Sequence, residues 1–491
     1  MARSQTTQRV NKKTFLNAVV CPTRGWLTRN QVVEPSEADQ LRMAEGREVG
    51  RRAQLRFPGG TLVNEVDLTA DAHKTQVLMD DPQVAAIFEA TLLIDQYAAR
   101  ADTLVRDGKG WKVIEVKSGI NPNQEYVEDL AYTLMVAAKA GTTINAASLL
   151  LLNGSYRLGQ DETSLFAEHD MSEEAIKTAG AFDASWEAVP ASALVPNPPQ
   201  PALIFACRKC PHFREQCFGG DEKNHIFDLP GLREPLFDIL NRQNVTRIAD
   251  IPLETRLTPA QKRVRTAVAT GRPVIAKRAL AEFLSLVEWP AFYLDFETVK
   301  SAIPLFPNVG PHEQLVTQYS LHLCTTPGEI TDHHEFLADP SGDQRRELAE
   351  RLLQDLKDHG SIVVYSSFEK TMLNGLAKLF PDLSDRLSRC VDRLFDLEKA
   401  FRNHYYDPRF GGRTSIKATL PALVGLTYDG LQIGNGDMAV ARFAKMIRGE
   451  IVGSEAEATR SALLEYCKQD THGMVLLHSV LVEKCRKPSN H

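Results

Sequence analysis

Two pairs of charged residues stand two positions apart in this chain. Asp295 and Glu297 fall in the stretch AFYLDFET, and Glu115 and Lys117 fall in WKVIEVKS. On an extended strand that spacing puts both side chains on one face. Two carboxylates on one face of an apolar strand are costly to bury without a cation. Divalent ions such as Mg2+ take oxygen ligands of this kind, and so held they activate water and neutralise a phosphate. Asp102, in ARADTLVR, joins Glu115 and Lys117 if the two stretches form a hairpin. The lysine then positions the attacking water or neutralises the transition state. Glu369 closes the stretch SIVVYSSFE, and Tyr466 and Asp470, four apart in LLEYCKQDTHGMVLL, share one face of a helix. Cysteine offers a second chemistry. Cys207, Cys210 and Cys217 follow the pattern C-x2-C-x6-C, and Cys21 stands far upstream. Four thiolates suit either a tetrahedral Zn2+ or a 4Fe–4S cluster. The remaining cysteines, Cys324, Cys390, Cys467 and Cys485, lack ligand spacing and read as packing residues.

These residues need elements to carry them. ARADTLVR and WKVIEVKS read as two strands joined by a tight turn at Asp107-Gly108. From Trp289 onward the pattern alternates strand, loop and helix. AFYLDFET and LVTQYSLHL come first, then a helix from Asp343 to His359, then SIVVYSSFE with Glu369 at the start of a helix. That alternation is α/β. The proline-rich stretch from Pro190 to Pro201 is a loop inside the first unit. Residues from Ile226 to Val287 read as short helices with turn signals. The expected organisation is a first domain at 1–225, a basic helical connector at 226–287 and a second α/β domain at 288–491.

The run A-R-A-D, then I-E-V-K-S-G, then Tyr126, Asp129 and Tyr132 in a following helix resembles the PD-(D/E)XK nucleases of the RecB/AddB type. The resemblance covers about the first 220 residues. It implies a restriction-endonuclease-like fold in which Asp102 and Glu115 hold Mg2+ or Mn2+ beside Lys117. The chain departs from that pattern at Gly50, where a metal-binding histidine is usual, with Glu48 or Glu89 as replacements. It departs again at Asp129, where glutamine is usual. One cysteine near the N-terminus, then the nuclease motifs, then three close cysteines is similar to the iron–sulfur staple of AddB-type and CRISPR adaptation nucleases. This likeness implies that Cys21, Cys207, Cys210 and Cys217 hold a 4Fe–4S cluster tying together the two ends of the unit. The order D-F-E-T, a second acidic residue and Y-x3-D resembles the DnaQ-like exonucleases of the RNase H-like superfamily, over most of 290–480. It implies divalent ions held by Asp295, Glu297 and Asp470, with Tyr466 orienting the attacking water. Glu369 stands where aspartate is usual, and Asp392 and Asp396 are alternatives to it. The fused arrangement resembles a bacterial family of uncharacterised proteins pairing these two kinds of domain.

Composition bounds the partners. At 491 residues the chain is too long for one core. Its 43% hydrophobic and 24% charged residues are ordinary for a globular protein. No apolar run reaches membrane-spanning length, and the start MARSQTTQRVNKKTF lacks the apolar centre of a secretory signal. A cytoplasmic protein with no membrane partner is expected, and eight cysteines there are no disulfide framework. The net charge of −6 does not advertise nucleic-acid binding, although catalytic carboxylates count against it. Seven basic residues without an acid between Arg256 and Arg278 offer phosphate contacts. The loop from Asn403 to Lys417 mixes aromatics and arginines that could stack bases and grip phosphates. The expected function is metal-dependent hydrolysis of phosphodiester bonds in DNA, with 3′-5′ exonuclease action in the second domain and RecB-like cleavage in the first. Repair, recombination or anti-phage defence is the setting, with further protein partners. The alternative is an RNA exonuclease, or a nucleic-acid-binding assembly protein with one or both sites inactive.

Overall fold

The computed structural model describes residues 9–31, 33–218 and 223–486, so the first eight residues of the basic start lie outside it. The described chain is mixed α/β. It forms two compact units, Met1–Phe218 with Ser301–Glu313, and Gly219–Lys300 with Gln314–His491. No helix among the described residues is long and apolar enough to cross a membrane.

The first unit is built on six strands in spatial and chain order: β1 (Thr61–Leu62), β2 (Ala86–Ile94), β3 (Tyr97–Asp107), β4 (Gly110–Lys117), β5 (Ile144–Leu152) and β6 (Phe166–Asp170). β2, β3 and β4 are antiparallel, and β4 pairs with β5 in parallel. The β3–β4 hairpin closes with Asp107 opposite Gly110, and Gly108 takes the positive φ of 58° that such a turn favours. The two-residue period of β4 then decides everything around it. Ile114 packs into a cluster with Val49 and Ala53 of the helix Glu37–Gln54. Val113 packs on the opposite side with Leu130 and Leu134 of the helix Gln124–Lys139. Glu115 and Lys117 share the Val113 face, so both project toward Gln124–Lys139.

Ser301–Glu313 belongs to this unit, although it follows a strand of the second. Ser301 Oγ donates to Glu45 at 2.6 Å, and Leu158 exchanges backbone hydrogen bonds with Asn308 and Val309 at 2.9 and 3.0 Å. His312 Nε2 lies 2.6 Å from the Ser118 carbonyl.

The second unit opens with short helices and a two-residue strand, β7 (Val274–Ile275). Its sheet comprises β8 (Ala291–Val299), β9 (Leu315–Thr326), β10 (Glu329–Leu337), β11 (Ile362–Val364) and β12 (Leu394–Asp396), in the order β10-β9-β8-β11-β12. β8 is central, antiparallel to β9 and parallel to β11. Phe292, Leu294 and Phe296 point into a cluster with Leu348, Leu352, Leu373 and Leu376 from the helices Arg345–Asp355 and Phe368–Leu379. The intervening residues Tyr293, Asp295 and Glu297 face the other way, where the 34-residue helix Gly453–Arg486 crosses the sheet. The Tyr293 hydroxyl lies 2.7 Å from His478 Nδ1 on that helix. At Gly473 a Cβ would lie 2.7 Å from Leu420 Cδ2, so glycine lets the helix Ile416–Val424 pack closely.

The segment 226–287 is grouped with this unit. β7 pairs antiparallel with β13 (Tyr405–Tyr406), the Ala276 amide donates to the His404 carbonyl at 2.8 Å, and a Cβ on Gly412 would collide with the Asp228 backbone. Of the basic residues in 226–287, Arg263 donates to the Arg402 carbonyl, Arg265 to the Pro252 carbonyl at 2.9 Å, and Arg278 to Glu282 at 2.9 Å.

Leu352→Ala should lower the stability of the second unit by about 2–5 kcal/mol, because Leu352 is fully buried between helix and sheet. Urea denaturation reads this directly, and a loss below about 1 kcal/mol would remove Leu352 from the core.

Candidate metal centres

The face of β8 that carries Asp295 and Glu297 meets the helix Gly453–Arg486 at Tyr466, Cys467 and Asp470. One carboxylate oxygen each from Asp295, Glu297 and Asp470 lies within 4.8 Å of the others. Asp470 is 7% exposed and takes a hydrogen bond from the Tyr428 hydroxyl. Tyr466 lies one turn earlier on the same helix, and its ring packs against that of Tyr428 with centroids 5.8 Å apart. Cys467 Sγ lies 3.5 Å from Asp295 Oδ2.

Glu369 comes from the first turn of Phe368–Leu379 and is 3% exposed. Its Oε2 has no hydrogen-bond partner. Its carboxylate acts on Asp295 and Glu297 but stays outside the 4.8 Å group. Of the two alternatives to it, Asp396 adds its charge to Glu369, and Asp392 ends the helix Ser384–Asp392.

Burial and mutual repulsion set the electrostatics. Burial, then Asp470, Glu297 and Glu369, push the Asp295 carboxyl well above the usual range. Burial and Asp470 raise Glu297 to about 8. Burial raises Glu369 to about 7 and Asp470 to about 6. Lys417 opposes this for Glu297 and Asp470. Its Nζ stands 5.3 and 5.2 Å from the ring centres of Tyr428 and Tyr466, within cation–π range. Burial and Asp470 also hold both tyrosine hydroxyls protonated.

The loop from Asn403 to Lys417 divides differently from its sequence reading. Tyr405, Tyr406 and Phe410 are core residues, each 2% exposed or less, and the Tyr406 hydroxyl accepts the Gly412 amide. These aromatics are not available to stack bases, and Lys417 alone turns to the carboxylates.

In the first unit, Asp102 on β3 and Glu115 on β4 come together beside Lys117. Asp102 Oδ2 accepts the Val116 amide at 2.7 Å. Glu115 is 1% exposed; its Oε1 takes Lys117 Nζ at 3.0 Å and also Lys12 Nζ, while its Oε2 has no partner. Lys117 also pairs with Asp129 and stands 5.7 Å from the Tyr126 ring centre. Burial opposes the Glu115 charge, but Lys12 and Lys117 outweigh it and hold its carboxyl below the usual range. Burial and Glu115 push Asp102 up to about 7. Tyr132 is fully buried and donates to the Val10 and Ala98 carbonyls at 2.9 Å, a structural duty.

Of the two replacements for the missing histidine, Glu48 is committed to Arg51 and Arg52. Glu89 sits on β2 at a positive φ of 56°, and its charge acts with that of Glu115 and Lys12. Its Oε2 lies 4.0 Å from Arg100 Nε.

Cys21, Cys207, Cys210 and Cys217 line one hollow with Leu27, Pro201, Ile204 and Phe213. Burial and the neighbouring cysteines hold the Cys207 and Cys217 thiols up. No three of the sulfurs lie within 4.8 Å of one another. A tetrahedral zinc with Zn–S of about 2.3 Å needs its sulfurs about 3.8 Å apart.

Four residues at these centres were not read from the sequence as site residues: Lys12, Cys467, Tyr428 and, in its carboxylate role, Lys417. Lys12 had one local signal. The helix Lys12–Val20 opens with two lysines and no acid in its first turn, against the helix dipole.

Fold and sites together define a mixed α/β chain with two buried acidic centres and a four-thiol hollow. A model of a domain of unknown function (DUF2779) matches residues 292–415, which begin on the D-x-E strand. The chain is similar to Uncharacterized protein MG366 of Mycoplasma genitalium, 29% identical over 209 residues, covering 37% of this chain and 30% of that protein. It is similar to the MG366 homolog of Mycoplasma pneumoniae at 27% over 209 residues, covering 38% and 31%. It is also similar to Uncharacterized protein UU173 of Ureaplasma parvum at 24% over 221 residues, covering 40% and 32%. The matched part spans less than a third of the length of each relative.

The raised carboxyls fix a sign for stability against pH. Glu297, Glu369 and Asp470 keep protons in the folded chain up to about 8, 7 and 6, against 4.5, 4.5 and 3.8 ordinarily. Between those values the folded state binds more protons, so stability falls as pH rises. In chelator, the melting temperature should drop between pH 5 and pH 8, and Glu297→Gln should make the drop smaller. A drop of the same size in Glu297→Gln would contradict the burial of that charge.

Proposed function

We propose that the chain is a metal-dependent nuclease that hydrolyses phosphodiester bonds of DNA, with one centre in each unit. The observation that carries the reading is the convergence of Asp295, Glu297 and Asp470 oxygens within 4.8 Å, with Asp470 buried and the other two half-buried. An all-oxygen acidic donor set suits Mg2+ or Mn2+. Such ions, when bound, neutralise charge on the attacking and leaving oxygens of a phosphodiester.

The protein's own groups do the rest. Asp295, Glu297 and Asp470 present ligand oxygens, and the unpartnered Oε2 of Glu369 gives a further acceptor at the edge of the group. Tyr428 fixes Asp470 through its hydroxyl. The Tyr466 hydroxyl stays protonated, so it orients water by hydrogen bonding and does not take its proton as a tyrosinate. Lys417 supplies a cation next to Glu297 and Asp470, suited to a substrate phosphate. The likeness to DnaQ-type exonucleases and the central placing of the D-x-E strand support 3′-5′ exonuclease action there. The likeness to RecB/AddB nucleases supports cleavage at Asp102, Glu115 and Lys117, with Glu89 in place of the usual histidine. Repair, recombination or defence against foreign DNA is the fitting setting.

The four cysteines Cys21, Cys207, Cys210 and Cys217 line one hollow, and the likeness of their order to the iron–sulfur staple of AddB-type nucleases supports a 4Fe–4S cluster there over zinc. Cys21 follows directly on the helix Lys12–Val20, and the other three lie in or beside the short helical turns Phe205–Lys209 and Phe213–Cys217 near the other end of the unit, so a cluster there joins its two ends.

The assay is release of nucleotides from labelled single- and double-stranded DNA and RNA in Mg2+ or Mn2+. Asp295→Ala should cut 3′-end release on the order of a thousandfold, equivalent to about 4 kcal/mol of barrier. Lys117→Ala should leave that release intact and remove any cleavage owed to the first unit. Loss of all activity in folded Lys117→Ala would refute two independent centres, and release from RNA alone would refute DNA as substrate.

Anaerobically purified protein should be brown with the broad visible absorption of an iron–sulfur centre. Cys210→Ser should bleach it and lower the melting temperature of the first unit. Stoichiometric zinc without iron would rule the cluster out.

A further inference from the structure

The backbone on both sides of Lys12 is fixed. Val10 donates to the Gln96 carbonyl at 2.7 Å and accepts the Ala98 amide at 3.0 Å, so it docks on β3. Asn11 caps the helix by accepting the Thr14 amide at 2.9 Å. Phe15 is fully buried among the rings of Tyr97, Tyr132 and Phe182. Lys12 thus leaves a rigid frame at a set angle. A cation at the first position of a helix is disfavoured by the helix dipole, and here a buried carboxylate offsets that cost. Its Nζ donates to Glu115 Oε1, and its charge also acts on Asp102 and Glu89. Lys117 differs, because Asp129 and the Tyr126 ring hold it on the other side. Lys12 is the ammonium whose field the three acids Asp102, Glu115 and Glu89 share.

We propose that Lys12 is the resident cation of the first centre: its ammonium sits on the Glu115 oxygen that a divalent ion would take, so the metal binds only by displacing Lys12 from Glu115. This rests on the reading of Asp102 and Glu115 as metal ligands. It assigns Lys12 a positioning role, holding the Glu115 carboxylate in place until metal arrives.

The test uses the full chain carrying Asp295→Ala, to remove the second centre, and titrates Mn2+ by electron paramagnetic resonance. Lys12→Met should tighten the remaining Mn2+ site tenfold or more, and Lys12→Arg, which keeps the cation, should leave it as it was. Equal or weaker binding by Lys12→Met with native circular dichroism overturns the proposal. If Lys12→Met does not fold, the unsubstituted chain decides. Saturating Mn2+ should raise the rate of reductive methylation at Lys12 several-fold by peptide mass spectrometry, and an unchanged rate overturns the proposal. Glu115→Gln separates the two failures. Mn2+ binding that ignores Glu115→Gln refutes the metal reading of this centre and the proposal with it. Binding lost in Glu115→Gln but indifferent to Lys12 refutes the proposal alone.

Discussion

Burying like charges at one point is the constraint around which the second unit is arranged. Asp295, Glu297, Glu369 and Asp470 come from a strand and two helices, and the last three each raise the cost of ionising Asp295. Desolvation and repulsion of this kind hold the carboxyls protonated until a cation offsets them. Everything nearby serves the convergence. The period of β8 sends Phe292, Leu294 and Phe296 into the core and turns Asp295 and Glu297 outward from it. The helix Gly453–Arg486 returns across the sheet to deliver Asp470, and Gly473 lets a further helix settle against it.

The first unit meets the same difficulty with lysines. Glu115 is as deeply buried as any acid of the second unit, yet two ammonium groups hold it ionised. Asp102 beside it stays raised, and one Glu115 oxygen remains without a partner. One centre therefore sets two lysines against Glu115, and the other sets Lys417 against Glu297 and Asp470. That contrast predicts different metal affinities for two sets of carboxylates that look alike on paper.

What was legible in the sequence was local. The two-residue spacing of Asp295 and Glu297, the four-residue spacing of Tyr466 and Asp470, and the Asp107-Gly108 turn all correspond to geometry within one element or hairpin. Glu369 was placed at a helix start by the same means. What was not legible joins distant parts of the chain. Tyr428 lies in the non-periodic stretch LTYDGLQIG and reaches Asp470 only through the tertiary fold. Lys12 reaches Glu115 across 103 positions. The segment 301–313 leaves β8 and joins the first unit, which no reading of consecutive domains anticipates. Tyr405 and Tyr406 looked like a base-stacking surface because aromatics beside arginines have that signature, and nothing local announced that a two-residue strand would bury them. The two-residue β7 opposite them likewise gave too little pattern to show that 226–287 packs onto the second unit.

The most direct measurement is Mn2+ anomalous diffraction from crystals of the full chain. The account predicts anomalous density among Asp295, Glu297 and Asp470, with carboxylate oxygens at roughly 2.0–2.3 Å from each ion. Mn2+ at saturating concentration that leaves those three carboxylates empty, while native packing is retained around β8, would contradict it.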